Sequence, residues 1–409
     1  MNNKIKAAVA GAVLASASVA NAGITWDAGE WTVDMFGNVN SFAIVSDASD
    51  ATAVSGGLGQ AKDNDDTSTF INTGLLPNFM GFTATTRQND LDTSITISFN
   101  PGGSSANAAS GGSGEENRQA FLTFGDKSWG SFKFGKDLGI FGSTAILNDM
   151  TLLGVGAPGA TNGGGNTTLG RIGTGFMYAD WQGQIAYTTP NMNGLQLTVG
   201  IAQPWNAISS TTNNVAGAAA VSATSSGSTD QFSYQAQGSY SWTGDFAGKV
   251  WVGAYSQEVT AITTGVAGTT SDETATAFEV GVSTSISNIN LVAYAYSGEG
   301  IGTTFLLKDG FSTDGKKRDS DGGYVQATYV IPTGTKLGVS YGVSKLDDNA
   351  VDAGNALVEE NTMLTIGAYH PLTKHLNLVA EYSRVESEAH DTVSDAESNI
   401  FSVGAILFF

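Results

Sequence analysis

Alternation of apolar and polar residues is the feature that most restricts the fold of this chain. Between Gln231 and Trp242 every second residue is apolar or Gly, and the residues between them are Gln or Ser. The same period of two recurs at 278–286 and 336–344. Successive side chains of a β-strand point to opposite faces, so each segment predicts a strand with one apolar and one polar face. The polar faces are mostly small and uncharged, which favours strands between lipid and water over a soluble sandwich.

The first 22 residues have the pattern of a secretory signal peptide. Lys4 and Lys6 precede an apolar run of small residues that ends in Ala20-Asn21-Ala22. The run is too short to span a bilayer as a helix, and it offers no polar face for a first helix of the folded domain. We therefore expect cleavage after Ala22 and a single mature domain over 23–409.

The composition is compatible with a membrane protein that has no spanning helices. Beyond the signal, no stretch approaches the ~18 consecutive apolar residues of a spanning helix. Strands can still cross a bilayer if they close into a barrel, because closure satisfies every backbone polar group. The chain has no Cys, which excludes a disulfide scaffold and thiol chemistry.

The connections between the alternating segments are short and long in turn. Short turns such as 87–91 and 332–335 alternate with long polar stretches such as 101–116 and 298–322. This pattern is typical of transmembrane barrels, which have short periplasmic turns and long extracellular loops. We predict an all-β, antiparallel transmembrane barrel of about sixteen strands, near 31–45, 78–86, 92–99, 117–126, 131–136, 172–187, 195–202, 231–242, 249–257, 275–286, 290–297, 323–331, 336–345, 361–369, 375–385 and 399–409. A barrel of this size encloses an aqueous lumen.

The last strand ends on an aromatic residue. Phe401, Val403, Leu407 and the terminal Phe409 share one face of the predicted strand. A terminal aromatic residue on an alternating strand resembles the assembly signal of outer-membrane barrels. The same strand is also needed to close the barrel against the first one.

The chain is strongly acidic. Its net charge is −20, and the predicted signal holds two Lys and no acid, so the mature domain is more negative still. This argues against nucleic-acid binding. An acidic lumen would attract cations, although many of the acids lie in loop-like segments where they would only increase solubility.

Short motifs along the chain resemble the general bacterial porins, the trimeric diffusion porins of Gram-negative bacteria. Val33–Gly37 is similar to the first strand of that family. Asn117–Phe121 followed by Gly130–Lys136 resembles its R-x-A-F hairpin, and 169–173 with 187–194 resembles the return from its third loop and the turn that follows. The order and spacing of the motifs make the resemblance more specific than any single motif.

The resemblance implies a homotrimer in the outer membrane that contacts lipid and lipopolysaccharide and passes small hydrophilic solutes and inorganic ions without a cofactor. In that family one loop folds into the pore, and its acidic residues face basic residues of the wall; the matching segment here is 137–170. Carried over residue by residue, the constriction comprises Arg118, Lys136 and Arg171 on the wall and Asp137 and Asp149 on the loop. Opposed charges at such a constriction tune ion selectivity.

Several positions depart from the family pattern. Leu152–Ala157 replaces an acidic run at the loop tip, and Asn38 and Phe79 stand where the family often has basic residues. Fewer cations on the wall favour a preference for cations. We therefore expect Asp149→Asn to lower and Arg118→Ala to raise cation over anion selectivity.

Other classes of function remain open at this stage. A channel specific for one nutrient class is the closest alternative, and a barrel enzyme and a secreted adhesin are more distant ones. The three histidines His370, His375 and His390 do not form a recognisable catalytic or metal-binding pattern, so neither enzymatic activity nor a metal is expected.

Overall fold

The computed structural model describes residues 23–49, 54–60, 66–103, 115–159, 167–210, 222–225, 229–264, 269–349, 351, 356–391 and 395–409. The predicted signal peptide lies outside these residues. Within them, no helix combines the length and the apolar character that a membrane crossing requires.

Antiparallel strands account for most of the described chain. One sheet contains nineteen of them. Their bounds are β1 Ile24–Ala28, β2 Trp31–Ala48, β3 Thr67–Asn72, β4 Phe79–Gln88, β5 Leu91–Pro101, β6 Glu115–Glu116, β7 Ala120–Asp126, β8 Gly130–Leu138, β9 Trp181–Thr188, β10 Leu195–Ala202, β11 Ser233–Trp242, β12 Phe246–Thr263, β13 Thr270–Ile286, β14 Ile289–Glu299, β15 Asp319–Val330, β16 Lys336–Leu346, β17 Val358–Pro371, β18 Leu376–Ala389 and β19 Asp395–Phe408. Helix α1 (Ser143–Asn148) and a 3₁₀ helix (Met150–Leu153) complete the described secondary structure.

The sheet closes on itself. The last strand, β19, pairs with β2 from Asn38 to Ala48, and the terminal Phe409 exchanges backbone hydrogen bonds of 2.9 and 3.0 Å with Gly37. Strands β3 and β4 share one edge of β2, and β6 and β7 share one edge of β5. Strand β1 pairs antiparallel with the start of β2, on the edge that β19 occupies further along. Counted by position, sixteen strands therefore form the barrel, as predicted.

The predicted alternation gives the barrel its two faces. On β11, Tyr234 and Tyr240 are 49% and 46% exposed on the outside, while Ser233 and Gln235 are buried on the inside. On β19, Phe401 and Val403 are likewise exposed on the outer surface. These outer residues form the apolar surface that lipid requires.

Short connections gather at one end of the barrel. Only Asn89 and Asp90 join β4 to β5, and both have positive φ, as a tight two-residue hairpin turn requires. Two residues also join β13 to β14, and three residues each join β7 to β8 and β11 to β12. The longer connections lie at the opposite end, because consecutive strands run in opposite directions.

The connection between β8 and β9 folds into the barrel. We call its described residues, 139–159 and 167–180, the inner loop. Its apolar side chains, including Phe141, Ile146 and Phe176, pack with Tyr255 and Tyr294 of the barrel wall in a buried cluster. The strand expected at 172–187 begins only at Trp181, because the preceding residues belong to this loop.

Candidate functional site in the barrel lumen

Buried polar side chains of the wall hold the start of the inner loop. Glu279 of β13 accepts hydrogen bonds from the backbone N–H of Gly142 (3.1 Å) and from the hydroxyl of Tyr294 (2.8 Å). Gln235 of β11 accepts from the backbone N–H of Ile140 (2.9 Å). Buried carboxyl and amide groups require such partners, so these contacts fix the loop against the wall.

A second wall carboxylate holds the middle of the loop. Glu381 of β18 accepts hydrogen bonds from the backbone N–H groups of Val155 (2.7 Å) and Gly156 (3.0 Å) and from the hydroxyl of Tyr369 (2.6 Å). A Cβ at Gly154 would stand 2.0 Å from a Glu381 carboxylate oxygen, so the close approach requires glycine. The loop therefore lies against one half of the barrel, formed by β11–β18.

Two residues expected at the constriction, Asp149 and Arg171, form a buried ion pair. The Arg171 Nε lies 3.8 Å from an Asp149 carboxylate oxygen, and neither side chain is exposed. Asp149 also accepts from the backbone N–H of Thr151 (3.0 Å), while Arg171 Nη1 donates to the carbonyl of Met363 (2.9 Å). The guanidinium carbon lies 5.9 Å from the centre of the Tyr324 ring. Burial raises the pKa of the Asp149 carboxyl, and the charge of Arg171 opposes that rise.

The position of this pair differs from the expectation that its members face each other across an opening. Arg171 belongs to the returning part of the inner loop rather than to a wall strand, since β9 begins at Trp181. Both side chains therefore end in the packed layer between the loop and the wall.

A cavity of about 580 Å³ remains on the other side of the inner loop. The wall of β4–β10 contributes mainly hydroxyl and amide side chains. The inner loop contributes mainly leucine and isoleucine, together with Thr167, Thr168, Tyr178 and Asp180. The hydroxyl and amide residues are Thr83, Ser94, Thr96, Ser98, Asn100, Gln119, Thr123, Ser131, Thr188 and Gln196. This cavity is the candidate functional site.

Five charged residues line the cavity, and four of them form ion pairs. The Nε of Arg118 lies 2.9 Å from a Glu116 carboxylate oxygen. Lys133 pairs with Asp137, which also accepts a hydrogen bond of 3.0 Å from the side chain of Gln119. Of the residues expected at the constriction, Arg118 and Asp137 thus lie at the cavity.

The structure places Lys136 on the outer face of the barrel. It pairs across the ladder with the exposed Ala120, and its Nζ donates to the backbone carbonyl of Asn117 (2.8 Å). Lys133 lies at the cavity in its place. The sequence alone could have placed Lys136 correctly. Phe132 and Phe134 lie on the lipid face of β8, and Lys136, two residues after Phe134, belongs to the same face.

Arg118 reaches the lumen through an interruption of its strand. Strand β7 begins at Ala120, and the three residues after β6 are not in strand conformation. Alternation therefore does not extend to this segment, and both Arg118 and Gln119 line the cavity. The guanidinium of Arg118 lies 5.8 Å from the centre of the Trp181 ring.

Sequence reasoning missed a group of cavity residues at the start of β9. Asp180 lines the cavity, and burial raises the pKa of its carboxyl. Trp181 Nε1 donates to the hydroxyl of Tyr178 (2.9 Å), whose ring meets Phe305 edge-on. Burial raises the pKa of Tyr178 to about 12. The expected strand at 172–187 concealed these residues, since it implied simple alternation here.

The described residues contain no group of three or more His, Asp or Glu side chains placed to hold a metal ion.

Sixteen strand positions, an apolar outer surface and a polar lumen with a loop folded into it define a membrane channel barrel. A family model described as Gram-negative porin matches residues 7–390, and the chain belongs to this family. It is an outer-membrane channel that crosses the membrane many times, and family and fold indicate a channel rather than an enzyme.

Solved structures of bacterial outer-membrane channels are similar in fold. The channel DcaP of Acinetobacter baumannii is 17% identical, with a TM-score of 0.68 over 95% of this chain and 100% of that one. An anion-selective porin from Comamonas acidovorans is 14% identical, with a TM-score of 0.58 over 93% and 100%. The trimer form of OmpT from Vibrio cholerae is 16% identical, with a TM-score of 0.54 over 93% and 100%. No curated protein matches the sequence.

Proposed function

We propose that this porin provides a water-filled path for the passive diffusion of small hydrophilic solutes and inorganic ions. The observation that carries the proposal is the cavity of about 580 Å³ between the inner loop and the wall of β4–β10. Hydroxyl, amide and charged side chains line that wall, and such groups can replace part of the hydration shell of a passing solute.

We further propose that the channel prefers cations. Three acidic residues, Glu116, Asp137 and Asp180, line the cavity together with the basic Arg118 and Lys133. The net charge of −20 over the whole chain adds a negative field around the pore. Because two ion pairs cancel most of the local charge, we expect the preference to be modest.

The charges that act on passing ions are then Glu116, Arg118, Lys133, Asp137 and Asp180. Asp149 and Arg171 have a different role in this proposal, since their mutual pairing joins the outgoing and the returning parts of the inner loop. Lys136 lies on the outer face of the barrel, so its charge does not line the path of the ions.

Planar-bilayer recording tests the channel and its selectivity together. Protein folded in detergent without residues 1–22 is added to a bilayer under a salt gradient, with heat-unfolded protein as the control. We expect discrete, long-lived conductance steps. The reversal potential should be displaced toward the equilibrium potential of the cation. Absence of conductance from folded protein would contradict the diffusion function. A reversal potential displaced toward the equilibrium potential of the anion would contradict the cation preference.

Assembly forms a further part of the proposal. We propose cleavage after Ala22, a homotrimer embedded in lipid and lipopolysaccharide, and recognition of Phe409 by the assembly machinery. OmpT of Vibrio cholerae has a similar fold, and one of its solved structures is described as a trimer form. This similarity of fold supports the proposed trimer. N-terminal sequencing of protein from outer membranes should begin at Gly23, and unheated samples should migrate as trimers on a gel. A monomer in native membranes would contradict the assembly proposal.

A further inference from the structure

The two sides of the cavity differ in chemistry. On the side of the inner loop, leucine and isoleucine side chains line the space, joined by those of 73–78, a segment between β3 and β4. These apolar residues are Leu75, Leu76, Ile146, Leu147, Leu152, Leu169 and Ile172. The backbone joins the two segments, since Leu75 N–H donates to the Gly154 carbonyl (2.8 Å) and Thr168 N–H to that of Gly74 (3.1 Å).

The facing wall is mainly polar, and four of the five charged lining residues lie there; the fifth, Asp180, stands at the end of the inner loop next to β9. Hydroxyl groups bond across neighbouring strands, as in Thr83 with Thr96 (2.8 Å) and Ser94 with Thr123 (2.6 Å). The ion pairs of Arg118 and Lys133 lie on or beside β6–β8. The described part of the inner loop facing them supplies mainly apolar groups, with Thr167 and Thr168 as polar exceptions. The cavity therefore changes from polar to apolar from the wall to the loop, where opposed charges were expected.

Aromatic rings stand beside both cations of the polar wall. Lys133 Nζ lies 5.0 Å from the centre of the Phe121 ring, and Arg118 lies over Trp181. Each cation thus has a carboxylate and a ring face as neighbours. A solute that carries both an ammonium and a carboxylate group can exchange partners with such a pair without adding net charge to the cavity.

We infer that the channel favours small amphipathic zwitterions, namely amino acids with aliphatic or aromatic side chains, over equally small zwitterions with polar side chains. This inference rests on the proposed diffusion function and specifies its solutes. The apolar part of such a solute displaces water from the leucine side, which is favourable, while its charged end meets the polar wall. A wholly polar solute gains less at the leucine side, where Thr167 and Thr168 carry the only hydroxyl groups of residues 139–159 and 167–172 that line the cavity.

Leucine and asparagine provide a matched pair of probes, since their side chains are similar in size and branch at the same carbon but differ in polarity. Swelling of liposomes that contain the porin measures the flux of each amino acid, with arabinose as a neutral reference. We expect leucine to enter about threefold faster than asparagine, from a partial burial of its side chain.

Leucine can also be replaced by asparagine in the lining of the cavity. Leu147 and Leu169 are half-buried residues that line the cavity. We expect Leu147→Asn and Leu169→Asn to bring the leucine-to-asparagine ratio close to one. Leu372→Asn, in the exposed turn between β17 and β18, is the matched control and should keep the wild-type ratio. The double change Glu116→Gln with Arg118→Gln should lower the flux of both amino acids relative to arabinose.

The outcomes separate the inference from the function on which it rests. Equal fluxes of leucine and asparagine through wild-type protein that passes arabinose would overturn the inference and leave the diffusion function intact. The inference would also be overturned if Leu147→Asn and Leu169→Asn both kept the wild-type ratio of leucine flux to asparagine flux. Absence of all flux would instead overturn the diffusion function. Heat-modifiable migration on a gel establishes that each variant is folded, and block of single-channel current by each amino acid gives a second measure of the ratio.

Discussion

Replacing Arg171 by Met should loosen the packing of the inner loop, because Arg171 joins the outgoing and the returning parts of the loop and also bonds to the wall. The substitution keeps most of the side-chain volume but leaves Asp149 without its cation in a fully buried position. It also removes the hydrogen bond to the Met363 carbonyl. The ordered barrel should persist, because its strands are paired independently of this loop.

The magnitude follows from the geometry of the pair. Loss of one partner of a buried ion pair costs about 3–5 kcal/mol. The separation of 3.8 Å is long for a direct hydrogen bond, which places the Asp149–Arg171 pair near the lower end of that range. The double variant Arg171→Met with Asp149→Asn removes both charges, so it should cost only about 1–2 kcal/mol, mainly in lost hydrogen bonds.

Hydrogen exchange measured by mass spectrometry reports the opening of the loop directly. A loss of about 3 kcal/mol should raise the exchange rate of amides near Val155 on the order of a hundredfold. Lys127→Met, at an exposed turn between β7 and β8, is the control and should leave this exchange unchanged. Wild-type exchange in Arg171→Met, or faster exchange in the double variant than in the single one, would refute the reasoning.

Further predictions concern selectivity, pH, anchoring and assembly. In reversal-potential measurements, Asp180→Asn should lower the cation preference more than the buried Asp149→Asn does, and Arg118→Ala should raise it; equal shifts for both Asp variants would contradict the placement of these charges. Because burial raises the pKa of Asp180, acidification should reduce the cation preference at a pH above the ordinary aspartate pKa of about 3.9, and Asp180→Asn should remove that step. Glu381→Gln loses a charged acceptor of two loop amides and should destabilise the loop by about 1–3 kcal/mol, seen as faster exchange at Val155; unchanged exchange would contradict its anchoring role. Removal of Phe409 should reduce the yield of folded barrel in outer membranes, whereas its replacement by Tyr should not, and equal yields would argue against an assembly signal.

The barrel could be predicted from the sequence because its strands repeat a simple pattern. Along each strand, side chains face lipid and lumen in turn, and short turns join the strands in pairs. Segments such as 231–242 therefore indicated both the strand and its two faces. The same reasoning explains Lys133 and Lys136, since parity with Phe132 and Phe134 distinguishes the lumen from the lipid side.

The inner loop could not be predicted in the same way. Its position depends on contacts between residues far apart in sequence, such as Gly142 with Glu279 and Val155 with Glu381. No local period reports such contacts. Arg171 was therefore expected on the wall of the pore, whereas it lies in the returning part of the loop and its side chain ends in the packed layer.

The central claim is that solutes pass through the cavity between the inner loop and the wall of β4–β10. The chain has no Cys, so an introduced thiol is unique. Ser131 lines the cavity, whereas Ser340 also points inward but is buried behind the inner loop, 1% exposed. A charged methanethiosulfonate reagent added during single-channel recording should reduce the conductance of Ser131→Cys and leave that of Ser340→Cys unchanged. Block of Ser340→Cys alone would place the path on the other side of the loop and contradict the account.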